Sequence, residues 1–127
     1  MYNDLHIASI GIDYRGTPNQ LGGCIADLRT HQAWGEELKI DPAHRWEAAE
    51  TKATFAGITD CVLGMFERMG VGDLAIITRS GHGTRVPDRS GDEASGFDSA
   101  FVPYDYKQNL YLDDQWFQLM QKRKQGT

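Results

Sequence analysis

Only two of the 127 residues are cysteine, Cys24 and Cys61. Neither stands in a Cys-x-x-Cys or Cys/His spacing, which argues against a structural zinc site. Two thiols do not make a disulfide framework, and no basic, apolar leader follows Met1. The chain is therefore expected to be reduced and cytoplasmic, with no secretory signal. There is no run of about 20 apolar residues of the kind that spans a bilayer. Basic charge is also short: 13 Lys and Arg stand against 18 Asp and Glu, for a net charge of −5. That balance points away from nucleic acid and anionic membrane as partners. No Walker-type glycine spacing is present, so a small phosphate-binding α/β protein is a weak reading.

What remains is ordinary for a soluble globular domain: 40% hydrophobic and 24% charged residues, in a length suited to one domain over residues 1–127. Leu5–Ile12 is a short apolar run ending in Asp13, the pattern of a strand buried on both faces. Asp13–Gly23, with Gly16, Pro18, Asn19, Gly22 and Gly23, has loop chemistry. A helix is predicted from about Gly23 to Leu38, then an irregular stretch over Asp41–Glu50 broken by Pro42. Phe55, Ile58, Val62, Met65, Phe66 and Met69 recur at helical steps, with Thr51 as the expected N-cap and Gly70 as the stop. Leu74–Thr78 reads as a second buried strand. Ser80–Ser99 reads as a long glycine- and acid-rich loop, a kind that usually has a function or lacks order. Ala100–Val102 is expected as a short strand, and a last helix runs from Asp113 or Asp114 to about Lys122. The pattern is α/β with crossovers. Its two main strands make a poor sheet, so the α/β layer is expected to be incomplete.

The sharpest chemical feature is Ser80-Gly81-His82-Gly83-Thr84, placed directly after the second apolar strand. A histidine between glycines at a strand end is held by a rigid scaffold and open to substrate. Imidazole suits proton transfer near neutral pH. Taken alone, the motif fits a surface-loop histidine equally well.

The run Ser80–Asp105 (SGHGTRVPDRSGDEASGFDSAFVPYD) closely resembles the histidine-bearing segment of metacaspases and related bacterial caspase-like peptidases. Ile10–Arg29 (IGIDYRGTPNQLGGCIADLR) resembles their first strand and following loop. Thr51-Lys52-Ala53 and Asp113-Asp114, each before a helix, fit in the same order. The resemblance implies a caspase-like α/β/α sandwich and a cysteine-type endopeptidase with a Cys-His dyad, in which His82 is the catalytic histidine and the Gly83 N–H an oxyanion donor. Cys24, Asp27 and Ser80 fall on residues that line the family's pocket for arginine or lysine. The implied partner is a peptide or protein substrate with a basic residue. Asp98, Asp113 and Asp114 fall on calcium ligands of the calcium-dependent members, so calcium is the one cofactor implied and no organic cofactor is. Asp88, Asp92 and Glu93 add to that acidic set without EF-hand spacing. Asp113 and Asp114 serve equally as acids of a helix first turn.

Two departures stand out. The family's Asp-x-Cys-His-Ser-Gly motif is absent, so the C-terminal strands, including the cysteine strand, are expected to be missing. That leaves three readings: an N-terminal peptidase portion, a non-catalytic interaction remnant, or half of a split peptidase completed by a chain carrying the cysteine. Arg79 stands where the family often has an aromatic residue; it either disfavours protonation of His82 or faces solvent. Cys61, mid-helix beside Val62, reads as a buried structural thiol.

Overall fold

The computed structural model describes residues 3–87 and 97–127. Strand β1 (Leu5–Gly11) leads through a loop to helix α1 (Cys24–Glu37), a 3-10 turn (Pro42–His44) and strand β2 (Arg45–Ala49). A second 3-10 turn (Glu50–Lys52) precedes helix α2 (Phe55–Arg68) and strand β3 (Leu74–Ser80). Strands β4 (Gly83–Pro87), β5 (Phe97–Phe101) and β6 (Tyr111–Leu112) and helix α3 (Asp113–Met120) follow. The first three strands form a parallel sheet in the order β2-β1-β3, and the last three an antiparallel sheet in the order β4-β5-β6.

β1 is the middle strand, and His6 to Gly11 are all buried. A strand covered on both faces shows no apolar/polar alternation, which is why Leu5–Ile12 reads as one apolar run. Alternate residues nonetheless face different layers. Ser9 receives a hydrogen bond from Gln32 of α1. At Gly11 an added Cβ would lie 2.8 Å from both Cys24 O and Leu28 Cβ, so only glycine lets α1 start this close to β1. Ala8 and Ile10 join the core cluster that includes Ile58, Val62, Met65 and Phe66 of α2. Burial of those four α2 side chains contributes about 1.5–3 kcal/mol each. The result is an α/β/α arrangement, the fold class expected from the sequence.

Several element boundaries differ from expectation. Asp41–Glu50 is not irregular throughout: Arg45–Ala49 is strand β2, paired parallel to β1 from Ile7↔Arg45 to Gly11↔Ala49. The segment RWEAA has little intrinsic strand preference, and its pairing is set by the neighbour. The parallel sheet therefore has three strands, not two. α2 is capped by Thr54, whose side chain accepts from the Gly57 N–H, rather than by Thr51, and ends at Arg68 with Met69 as its C-cap. Ser80–Ser99 is not one loop. Ser80 closes β3, and Gly83–Pro87 pairs antiparallel with Phe97–Phe101, from Gly83↔Phe101 to Pro87↔Phe97. β5 thus begins before the expected Ala100. Glycine and aspartate, depleted in strands, conceal the hairpin from a propensity reading. α3 ends at Met120, short of Lys122. No helix among the described residues is long and apolar enough to cross a membrane.

The end of the sheet remote from His82 is tied by one carboxylate. Asp73 accepts from Gly70 N at 2.9 Å and Asp4 N at 3.1 Å, and pairs with the buried His6 Nε2 at 3.0 Å. The His6 ring stacks on His44 with centroids 4.0 Å apart. The Gly70 N–H, helped by the His6 and Asp4 contacts, holds the Asp73 carboxyl below its ordinary range against the opposing effect of desolvation. A lowered folded-state value stabilises the fold above the unfolded carboxylate value, and the gain disappears as pH falls through the folded one. Denaturant midpoints measured from pH 7 down to pH 3 should therefore fall on the acid side, and Asp73→Asn should flatten that acid limb. An unchanged acid limb in the variant would show that another group sets it.

Candidate active site

In parallel α/β sheets, binding sites gather beyond the carboxyl ends of the strands. Here β1 and β3 end together, with Gly11 opposite Ser80. His82 follows β3 by two residues, and the Asp13–Gly23 loop that follows β1 folds over the same end. The loop is braced by its own bonds: Leu21 N donates to Asp13 O at 2.7 Å, and Thr17 N and Oγ1 both donate to Tyr14 O.

That loop fixes the imidazole. His82 Nε2 lies 2.8 Å from the backbone oxygen of Asn19. A carbonyl only accepts, so Nε2 carries the proton and Nδ1 holds the lone pair in the neutral ring. The ring also packs at a tilt against Tyr14, centroids 4.9 Å apart. The arrangement presents a base at Nδ1 and leaves Nε2 anchored.

Cys24, Asp27 and Ser80 come together beside it. Ser80 Oγ donates to Asp27 Oδ2 at 2.6 Å. The Cys24 N–H, at the start of α1, donates to the buried Asp13 Oδ1 at 2.7 Å. The Ser80 and Asp13 side chains also act on the Cys24 thiol. Asp27 is solvent-exposed in the first turn of α1, where the helix dipole favours its charge. Its carboxylate is therefore accessible to a cation and already oriented by Ser80. Burial pushes the Cys24 thiol up, and the Asp13 and Asp27 carboxylates add to that, while the Ser80 hydroxyl opposes it. Cys61, buried in α2, is pushed up to about 11 by burial. At Cys24 burial and the carboxylates outweigh the α1 N-terminus, and neither thiol has the lowered value that makes a nucleophile.

On the other side, His82 and Gly83 line a cleft of about 340 Å³ with Arg79, Phe101 and Asp113. Arg79 is exposed near the end of β3. Its guanidinium lies over the Trp116 ring, 4.4 Å from the centroid, and 5.3 Å from that of Phe101, a cation–π arrangement.

The three carboxylates of the implied calcium set are divided. Asp98 and Asp114 line a cleft of about 790 Å³ with Tyr106 and Gln115, whereas Asp113 lines the cleft of His82. Asp113 and Asp114 occupy the first turn of α3. Among the described residues, no three His, Cys, Asp or Glu side chains gather as a metal-holding group. Asp98, Asp113 and Asp114 are thus not gathered around one cation among the described residues. Asp88, Asp92 and Glu93 lie outside the described residues.

Sequence reading missed Asp13, Tyr14, Asn19 and Glu50. Asp13 gave one signal, a carboxylate closing an apolar strand. Asn19 acts through its backbone and Glu50 across 37 residues of chain, which no local pattern encodes.

A model of the metacaspase, peptidase C14 domain, matches residues 8–127. The chain is 34% identical over 124 residues to Metacaspase-4 of Arabidopsis thaliana, covering 92% of this chain and 29% of that protein. It is 34% identical over 115 residues to Metacaspase-1B of Aspergillus oryzae, covering 83% and 27% respectively. The crystal structure of protein GSU0716 from Geobacter sulfurreducens superposes with a TM-score of 0.75 at 27% identity, covering 98% of this chain and 47% of that one. The chain thus spans under a third of the length of the curated relatives it matches.

The thiol environment yields a direct test. Native Cys24 should react with iodoacetamide at pH 7.5 several-fold more slowly than a free thiol, because the thiolate is the reactive form. Asp27→Asn should speed the reaction and Ser80→Ala should slow it further, read by mass spectrometry of the labelled peptide. Rapid alkylation of native Cys24 at neutral pH would contradict this assignment.

Proposed function

This chain belongs to the metacaspase family of C14 peptidases, and we propose that it is the histidine-bearing module of a cysteine endopeptidase that cleaves after arginine or lysine. The observation that carries this reading is the convergence of Cys24, Asp27, Ser80 and His82 at the carboxyl end of the parallel sheet, with the His82 imidazole anchored through Nε2. No Asp-x-Cys-His-Ser-Gly motif is among the 127 residues; in this reading the nucleophile comes from a further segment or a second chain.

The chemistry assigned to these residues follows from their positions. A cysteine thiol gives its proton to His82 Nδ1 as its sulfur bonds to the scissile carbonyl carbon. The oxyanion that forms is met by the Gly83 N–H. His82 then passes the proton to the leaving amine as the C–N bond breaks, giving a thioester. Water hydrolyses the thioester and restores the thiol. Asp27, oriented by Ser80, holds the guanidinium or ammonium of the residue before the scissile bond through a charge-assisted contact.

A second reading, a peptide-binding module that recognises basic residues without cleaving, rests on the exposed Asp27 carboxylate that Ser80 orients. One experiment separates the two. The chain alone should not turn over arginyl or lysyl reporters, with or without calcium. Joined to a segment bearing the motif, it should cleave them. His82→Ala should then lower kcat by about 10²–10⁴-fold, whereas Asp27→Ala should reduce the preference for arginyl over uncharged substrates by about tenfold or more. Binding of arginyl peptides by the joined protein without cleavage would support the second reading. Near-full turnover in His82→Ala would sink the first.

A further inference from the structure

The residue that holds the His82 peptide in place is Tyr14, which reaches it from the loop after β1. In an antiparallel pair, facing residues alternate between exchanging both backbone hydrogen bonds and exchanging none. The β4–β5 pairing ends at Gly83↔Phe101, so one step further His82 faces Val102. Half of a bonded pair is present there: Val102 N donates to His82 O at 3.0 Å. The other half is relayed. His82 N donates to the Tyr14 hydroxyl at 2.9 Å, and that hydroxyl donates to Val102 O. The phenol oxygen is inserted into the last rung of the ladder. With His82 and Val102 forming a bonded rung, alternation makes Gly83↔Phe101 a non-bonded one. The Gly83 N–H is thereby turned away from β5.

We propose that the Tyr14 hydroxyl is a positioning group for the proton transfer assigned to His82, fixing the peptide that carries the imidazole and aims the Gly83 N–H. The inference rests on the peptidase reading above. Tyr14 is suited to the task by its own restraint. It is fully buried, and its backbone φ is +54°, a left-handed conformation that non-glycine residues seldom adopt. The Glu50 carboxylate accepts the N–H groups on either side, of Asp13 and of Arg15, and Thr17 donates twice to the Tyr14 carbonyl. Burial pushes the phenol up to about 12, so it remains a donor to Val102 at neutral pH. Gly81 clears the way: a Cβ there would lie 2.8 Å from the Tyr14 hydroxyl and 2.9 Å from Phe101 Cζ.

Tyr14→Phe keeps the ring and deletes only the relay. Amide hydrogen exchange by NMR on this chain should show His82 N–H exchanging about tenfold faster, the scale of one lost hydrogen bond, while amides of the α2 core keep their protection. Tyr111→Phe, which removes a buried hydroxyl bonded to Thr59 Oγ1 at 2.7 Å, should leave His82 unchanged. Gly81→Ala, which crowds the hydroxyl, should reproduce the local acceleration, and adding Tyr14→Phe to it should accelerate His82 little further. The proposal is overturned if His82 exchange is unaltered, or if it rises only in step with the whole core. Loss of folding in Tyr14→Phe together with an unaltered His82 in Gly81→Ala would overturn it equally. Because exchange needs no cleavage, failure here leaves the peptidase reading standing. Failure of cleavage in the joined protein leaves the relay standing.

Discussion

Strand β1 is buried on both faces and bonded on both edges, so its backbone fixes where everything else lies. With α1 against one face and α2 against the other, it cannot slip by one residue without moving each side chain to the wrong layer. Its register with β3, from Leu5↔Leu74 to Gly11↔Ser80, brings the two strand ends level. The loop after β1 and the Gly81-His82-Gly83 segment after β3 therefore meet at one place. Parallel pairing demands a long crossover between neighbours, and α1 and α2 supply the crossovers while covering the faces.

The chemistry at that end is built from restraints on backbone. The Glu50 carboxylate binds the N–H groups of Asp13 and Arg15, Asp13 binds the N–H that opens α1, and the Asn19 carbonyl orients the His82 ring. The Glu50 and Asn19 bonds join the segment after β1 to those after β2 and β3, so the site and the fold share the same contacts. Arg79 belongs to this economy. It uses Trp116 and Phe101 as a platform and leaves the Nε2 side of His82 to Asn19.

What could be read from the sequence followed the strength of local patterns. β1, α2 and β3 carry apolar runs or helical periodicity, and their existence was legible although their caps were displaced by a few residues. His82 and the Cys24-Asp27-Ser80 group were legible through motifs that resemble a family, and the fold brings those four residues to one end of the sheet. β2 and β4 were not legible, and β5 only in part, through Ala100–Val102. RWEAA becomes a strand because β1 offers it a parallel edge, and GTRVP because FDSAF lies opposite. The residues of the implied calcium set are not gathered among the described residues. Asp113 and Asp114 are adjacent in sequence, yet on a helix adjacent side chains point about 100° apart, and here they face separate clefts.

The fold presents His82 as a base at Nδ1, with Nε2 protonated and held by Asn19. Long-range proton–nitrogen NMR correlation reports imidazole tautomers directly. The expected spectrum at a pH where His82 is neutral shows Nε2 protonated and Nδ1 bare. A dominant Nδ1-protonated tautomer would contradict the account.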